Sequence, residues 1–299
     1  MEPILTIDIG GTAIKFGVAD ETGRFLQKGS LPTRIREKGV DAFLADLLSL
    51  VRRVRNAFPI TGIAVSLAGV VNGDTGELLL PSQFFPGLHR MNLVDFLEKE
   101  TGLPALCEND VNCAALAEYW QGAGKGAHML LCMTLGTGIG GALVHEGRLY
   151  RGASYAAGEV GQAYLGSSET WENWASVSAL LTAAEIKRGL TLGSLTGRNF
   201  CLCGKGEEME THLLREWVDR WMVGIVSLAW IVNPDRIVIG GGISAQRKLL
   251  MPYLKAAFDA KMPAILTPHT TLSLAQFQND AGMLGALYLY QQRRQEGKK

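Results

Sequence analysis

LTIDIGGTAIKFGVADETGRFL, residues 5–26, and LLCMTLGTGIGGALVHEGRLY, residues 130–150, are two copies of one pattern. Each opens with an apolar strand, turns on Gly and Thr, and continues into a second strand. Each then reaches a turn ending in Gly-Arg and a third strand. Alternating apolar runs bounded by glycine are the signature of hairpins. Two copies about one domain apart point to a duplicated β-meander rather than a solenoid.

Beyond each meander, helices alternate with strands. Apolar residues at helical spacing predict helices over 41–58, 92–101, 111–121, 176–187, 207–232, 249–260 and 282–294. Apolar runs predict strands over 62–71, 104–107 and 236–239. Alternating strands and helices define an α/β class. A chain of 299 residues, 47% of them hydrophobic, is long enough for two packed domains. The expected division is residues 1–112, completed by the C-terminal helix 282–299, and residues 113–281.

Lys and Arg total 29 against 29 Asp and Glu. A formal charge of zero offers no field for nucleic acid, so an anionic substrate has to be held locally by loops and helix ends. Glu2 stands where a signal peptide would be basic, Asp8 breaks the first apolar run, and the uncharged stretch 129–144 is too short to span a bilayer. Cysteines 107, 113, 132, 201 and 203 show no paired framework. They read as reduced thiols of a cytoplasmic protein that needs no membrane.

Glycine lets backbone N–H groups come close to phosphate. Asp8, Gly10, Gly11 and Thr12 form one such turn, with a carboxylate suited to a metal-bound water. Gly136, Thr137 and Gly138 form the second, at the matching point of the other copy, so that the two can face one cleft. Gly136, Gly138 and Gly141 have dinucleotide-fingerprint spacing, but a strand rather than a helix comes after them, which rejects that reading. Tight hairpins without a ligand are the competing interpretation; two equivalent turns, each with Thr, favour phosphate.

Residues 108–112, Glu-Asn-Asp-Val-Asn, lie at a strand's carboxyl end, where α/β sheets place their ligands. Phosphoryl transfer needs positioning, charge neutralisation and a carboxylate to accept the proton of the attacking hydroxyl. Asp110 suits that base, and Asn109 can donate and accept toward a sugar hydroxyl. Helix capping by either residue is the plainer alternative, and one residue can do both. Glu159 and Glu172, in small or apolar surroundings, suit further sugar hydroxyls, with surface exposure or ordinary capping as the plainer alternative.

These stretches resemble the ROK family (repressor, open reading frame, kinase) of bacterial sugar kinases and sugar-responsive repressors. The resemblance runs from Asp8 to Leu287 through DIGGT (8–12), LAGVV (67–71), ENDVN (108–112), LGTGIGG (135–141), AAGEVG (156–161), NPDRIVIGGGI (233–243) and NDAGMLGAL (279–287). It implies two ribonuclease-H-like domains of the actin/hexokinase ATPase type around a central cleft holding ATP, Mg²⁺ and a sugar. Asp110 would be the catalytic base. Gly69, Asn109, Glu159, Gln162 and Glu172 would line the sugar pocket. Asp8, Gly10, Gly11, Thr12, Thr137 and Gly138 would meet the phosphates, with Asp8 reaching Mg²⁺ through water. Gly241 and Gly242 would lie near the adenosine. A homodimer is also implied.

Two departures stand out. Family members usually carry a His after Gly-Glu-x-Gly, and then a Cys-rich zinc loop. Here Gln162 takes the His position and residues 163–170 contain no cysteine; Cys201 and Cys203 come after the WENWAS stretch (171–176), with His212 reachable only by folding back. No zinc site is expected. Residues 81–87 also lack the Asn that glucose-type members often place there. The zinc-free pattern resembles the β-glucoside kinase branch. The expected activity is ATP-dependent phosphorylation of the 6-hydroxyl of a glucose-type hexose or β-glucoside, the alternatives being an N-acetylmannosamine-type or other hexose kinase. A sugar sensor without kinase activity is the competing class. With seven residues ahead of Asp8, no helix-turn-helix module is expected.

Overall fold

The computed structural model describes residues 2–166, 168–197, 199–200 and 208–297. The chain divides into two compact units. The first takes residues up to Trp120, Arg151–Ala156 and the chain from Asn279 onward; the second takes Gln121–Tyr150 and Ala157–Gln278.

In the first unit β1 (Ile4–Ile9), β2 (Ala13–Ala19) and β3 (Phe25–Pro32) form the antiparallel meander. β4 (Ile63–Leu67) and β5 (Ala105–Asn109) extend it in parallel, in the order β3-β2-β1-β4-β5. One face packs on α1 (Ile35–Ala57) and α2 (Leu93–Thr101), whose Phe43, Leu47, Leu50, Val54, Leu93 and Leu97 join Ile7, Ile9 and Val65 in one core. Gly39, at φ 79°, interrupts α1, so its regular part begins where residue 41 was expected to open it. Asn92 caps α2 by accepting from the Asp95 N–H, and Gly102 closes it in the left-handed conformation. α3 (Asp110–Gln121) comes directly after β5.

In the second unit β6 (Met129–Leu135), β7 (Ile139–His145) and β8 (Arg148–Leu149) repeat the meander, and β9 (Arg236–Gly240) and β10 (Thr271–Leu274) extend it in parallel. The order β10-β9-β6-β7-β8 matches the first sheet strand for strand. The duplication read from residues 5–26 and 130–150 is therefore real, and the fold is the expected α/β, ribonuclease-H-like type. The third strand of the second copy is only two residues long. Helices α4 (Trp171–Ala175), α5 (Val177–Arg188), α6 (Glu208–Val232) and α7 (Arg247–Lys261) build this unit's core around Trp171, Trp217 and Trp221.

The last helix, α8 (Ala281–Glu296), packs on β1, β4 and β5. Two of its glycines make that approach possible. A methyl at Gly282 would come within 2.6 Å of Asp8 Oδ1, and one at Gly285 would strike the Cys113 carbonyl. The strand expected over 62–71 stops at Leu67, because the chain turns at Gly69 (φ 115°). Among the described residues no helix is long and apolar enough to cross a membrane.

Candidate active site

In the first unit the site is built where β1, β4 and β5 end side by side. Asp8 and Ser66 are parallel neighbours, and the Ser66 hydroxyl donates to Asp8 Oδ1 at 2.8 Å. Lys15, opposite Asp8 on β2, places Nζ 3.2 Å from Oδ2. The turn beyond Asp8 is held by its backbone: the Gly10 N–H donates to the Ala13 carbonyl and the Thr33 hydroxyl to the Gly10 carbonyl. Phe84 lies against Gly11, and Thr12 is exposed.

Asn109 is the last residue of β5 and Asp110 the first of α3. Asn109 caps the helix: its Oδ1 accepts from the Asn112 N–H at 2.9 Å. Its Nδ2 donates to the Gly69 carbonyl at 2.8 Å and to Asp110 Oδ1 at 3.1 Å. Asp110 Oδ1 also accepts the Val111 N–H at 2.9 Å. Capping and a poised carboxylate thus fall to neighbouring residues. Both Asn109 amide hydrogens are occupied within the protein, so a sugar hydroxyl would meet its oxygen, the Gly69 backbone or Asp110. Cys107 and Cys113 are buried beside this turn. Burial first, then the Glu108 carboxylate, pushes both thiols up, so they stay protonated and inert.

In the second unit Glu172 sits in the first turn of α4. Its Oε2 accepts the Ile139 N–H at 3.2 Å and its Oε1 accepts Gln162 Nε2 at 2.9 Å. Gly138 and Gly161 give it room, since a side chain at Gly138 would run into Oε2. Glu159 stands beside this pair, solvent-accessible; desolvation by its packing, and then the Glu172 charge, raise its pKa above the usual carboxylate value. Beneath lies a scaffold of tryptophans. Trp217 and Trp221 both donate to the Ala175 carbonyl, and Trp171 donates to the Arg220 carbonyl over Gly224. Sequence reasoning placed Glu172 but missed this support; the helical spacing of Trp217 and Trp221 was the available signal.

A cavity of about 490 Å³ opens in the same unit, lined by Gly136, Thr137, Val177, Ser178, Gly242 and Gln246 among others. It brings together the second glycine turn and the Gly241-Gly242 stretch. Gly241 has φ 87° and lies on the Leu135 backbone, where no side chain fits. Gly242 has open space in front of it. Ser178 and Gln246 were not anticipated, because nothing in their local sequence marks them.

The ROK family profile matches residues 4–293. The chain belongs to the ROK family. A β-glucoside kinase of Listeria monocytogenes is 33% identical over 297 residues, covering 97% of both chains. A ROK family glucokinase from Streptomyces griseus, solved with glucose and AMPPNP, superposes with a TM-score of 0.81 at 27% identity over 97% of this chain and 99% of that one. A ROK family protein from Streptococcus pneumoniae, solved with sucrose, gives 0.85 at 28% identity over 98% and 99%. Against the family pattern, Gln162 gives its amide to Glu172, as a neutral side chain can. Cys201 and Cys203 lie outside the described residues. His212, in α6, pairs with Glu216 one turn on, at 3.3 Å.

Proposed function

We propose that this ROK family chain transfers the γ-phosphoryl group of ATP to a sugar hydroxyl, the 6-hydroxyl of a glucose-type hexose or a β-glucoside, with Asp110 as the base. The observation that carries this reading is the Asn109–Asp110 junction. A carboxylate at a strand's carboxyl end is locked in one orientation by two hydrogen bonds to the same oxygen. The sugar hydroxyl's proton passes to Asp110 while its oxygen forms a bond to the γ-phosphorus. The bond from that phosphorus to the bridging oxygen breaks, and ADP leaves with the electron pair. Glu172, Gln162 and Glu159 would hold other hydroxyls of the ring. The 490 Å³ cavity suits a nucleotide whose phosphates meet the backbone of residues 136–138.

Asp8 and the Thr12 hydroxyl are hard oxygen donors of the kind Mg²⁺ takes while keeping most of its waters, so the residues fit that ion. When bound, the ion would neutralise charge on the phosphates. Lys15, 37% exposed and paired with Asp8, can turn to the phosphates itself. The relatives that act on glucosides and glucose favour these substrates. Gln162 in place of a zinc-ligating His favours tolerance of an aglycone.

ADP release measured across glucose, N-acetylmannosamine, cellobiose and aryl β-glucosides tests the reading. Turnover with a glucose-type sugar or β-glucoside is expected, and cellobiose should be accepted. Asp110→Asn should bind sugar but turn over at least ~10²-fold more slowly, the lower range for positioned acid–base groups. Near-normal turnover by that variant would remove Asp110 from the mechanism. Sugar binding without any ADP release would make the protein a sensor.

A further inference from the structure

Glu108 precedes the Asn109–Asp110 turn, and its side chain is completely buried, at 0% exposure. Oε1 accepts the Asn109 N–H at 3.0 Å and Asn112 Nδ2 at 2.9 Å. Oε2 accepts Arg151 Nε at 2.7 Å. Gly73 closes over the contact: a methyl there would come within 2.8 Å of Glu108 Oε2 and 2.9 Å of Arg151 Nε. A buried carboxylate is costly unless it is paired and its lone pairs are filled, and here both conditions hold.

Apolar side chains would fill this space at lower desolvation cost, so stability alone gives little reason for the pair. Its hydrogen bonds suggest another role. Two of the three end on residues that themselves orient Asp110 or the start of its helix. The Asn109 N–H is held by Glu108, while the Asn109 side chain caps α3 and donates to Asp110 Oδ1. Rotation of the Glu108 carboxylate would remove the acceptor of the Asn109 N–H and loosen the residue that donates to Asp110. The Arg151 bond to the other oxygen, Oε2, opposes that rotation.

Arg151 comes from an unexpected part of the chain. Arg151–Ala156 groups with the first unit, although the residues before and after it belong to the second. Its other end is tied down by the Tyr155 hydroxyl, which donates to Asp74 Oδ2 at 2.7 Å. The chain just beyond carries Glu159 and Gln162.

We propose that Arg151 and Glu108 are positioning residues for phosphoryl transfer: the ion pair, buried at its Glu108 end, holds the Asn109–Asp110 turn in its reactive orientation. This rests on Asp110 being the base. Glu108→Gln keeps the shape and the Oε1 acceptor but turns an amide toward Arg151. Arg151→Lys keeps the charge but loses the planar Nε–H. Each should lower kcat about 10- to 100-fold, the scale expected when a reacting group is misplaced by about 1 Å, with KM for ATP little changed. The decisive measurement is the cycle with Asp110→Asn. In that background Glu108→Gln and Arg151→Lys should cost less than about threefold, because residues acting as a unit are not additive.

Thermal unfolding of each variant, with kcat calculated per folded molecule, separates positioning from mere folding. If a single variant does not fold, Glu108→Gln combined with Arg151→Gln leaves no buried charge unpaired and should fold with the same loss of kcat. Wild-type kcat in any folded member of the set, or losses that multiply fully with Asp110→Asn, overturns the proposal. Unimpaired Asp110→Asn overturns the base reading instead, and is read from that variant alone.

Discussion

The turns at residues 10–12 and 136–138 come after equivalent strands of two sheets with the same order, yet their surroundings differ. On the first sheet Asp8 stands between Lys15 on β2 and Ser66 on β4, and both side chains reach its carboxylate. The matching place on the second sheet holds Thr134, flanked by Gly140 and Gly240. Charged and hydroxyl side chains fill the flanks of the first strand end, and glycines leave those of the second open. The space is used: Gly141 lets residues 158–160 lie against β7, Gly138 admits the Glu172 carboxylate, and Gly241 rests on Leu135. A duplicated backbone thus supplies two equivalent turns, and side-chain size and charge make their surroundings different.

The largest expected break in this comparison comes from Asp8→Asn. It keeps the Ser66 hydrogen bond but removes the charge, so kcat should fall by ~10²-fold, as when one electrostatic group is lost from an active site. Thr134→Val at the matching position should leave kcat within about twofold, because no charge is lost there. Equal losses in steady-state kinetics would mean that the two turns are not specialised in this way.

Gly138→Ala should come next. Its methyl would displace Glu172 from the Ile139 N–H and Gln162, and KM for sugar should rise about tenfold, or roughly 1.4 kcal/mol of binding. Gly11→Ala meets the side chain of Phe84 first, and that side chain is 39% exposed and can swing away. Its cost in thermal unfolding should stay under about 1 kcal/mol. If the two alanines behave alike, the backbone of the turn matters more than what packs on it.

The smallest effect belongs to Glu159→Gln. The folded-state pKa of Glu159 is raised, so folding favours its protonated form; its contribution to stability is fully present below the unfolded carboxylate pKa and is lost as pH rises through the folded value. Glu159→Gln should therefore raise Tm slightly at neutral pH, with the gain vanishing in acid. A Tm that falls at neutral pH would show that Glu159 makes favourable contacts outweighing its partial desolvation and the Glu172 charge.

Much of this was legible in the residues. Alternating apolar runs and glycines marked the paired meanders, because strand periodicity and tight turns are local properties. The stretch 108–112 was readable as a strand end entering a helix, and Asp110 with it. Strand ends were less legible: β4 stops at Leu67 rather than residue 71, because Gly69 turns to offer its carbonyl to Asn109, a partner forty residues away.

The sequence by itself determined the α/β class, the duplication, the glycine turns and the carboxylates worth testing, since each depends on residues near one another along the chain. Only the tertiary structure decided that Arg151 would meet a fully buried Glu108, that Lys15 and Ser66 would share Asp8, and that Trp217 and Trp221 would hold the helix carrying Glu172. The physical reason is that such pairings are set by sheet register and by which faces become buried. A charge enters the interior only where the fold brings it a partner, and no local pattern records which distant residue that partner will be.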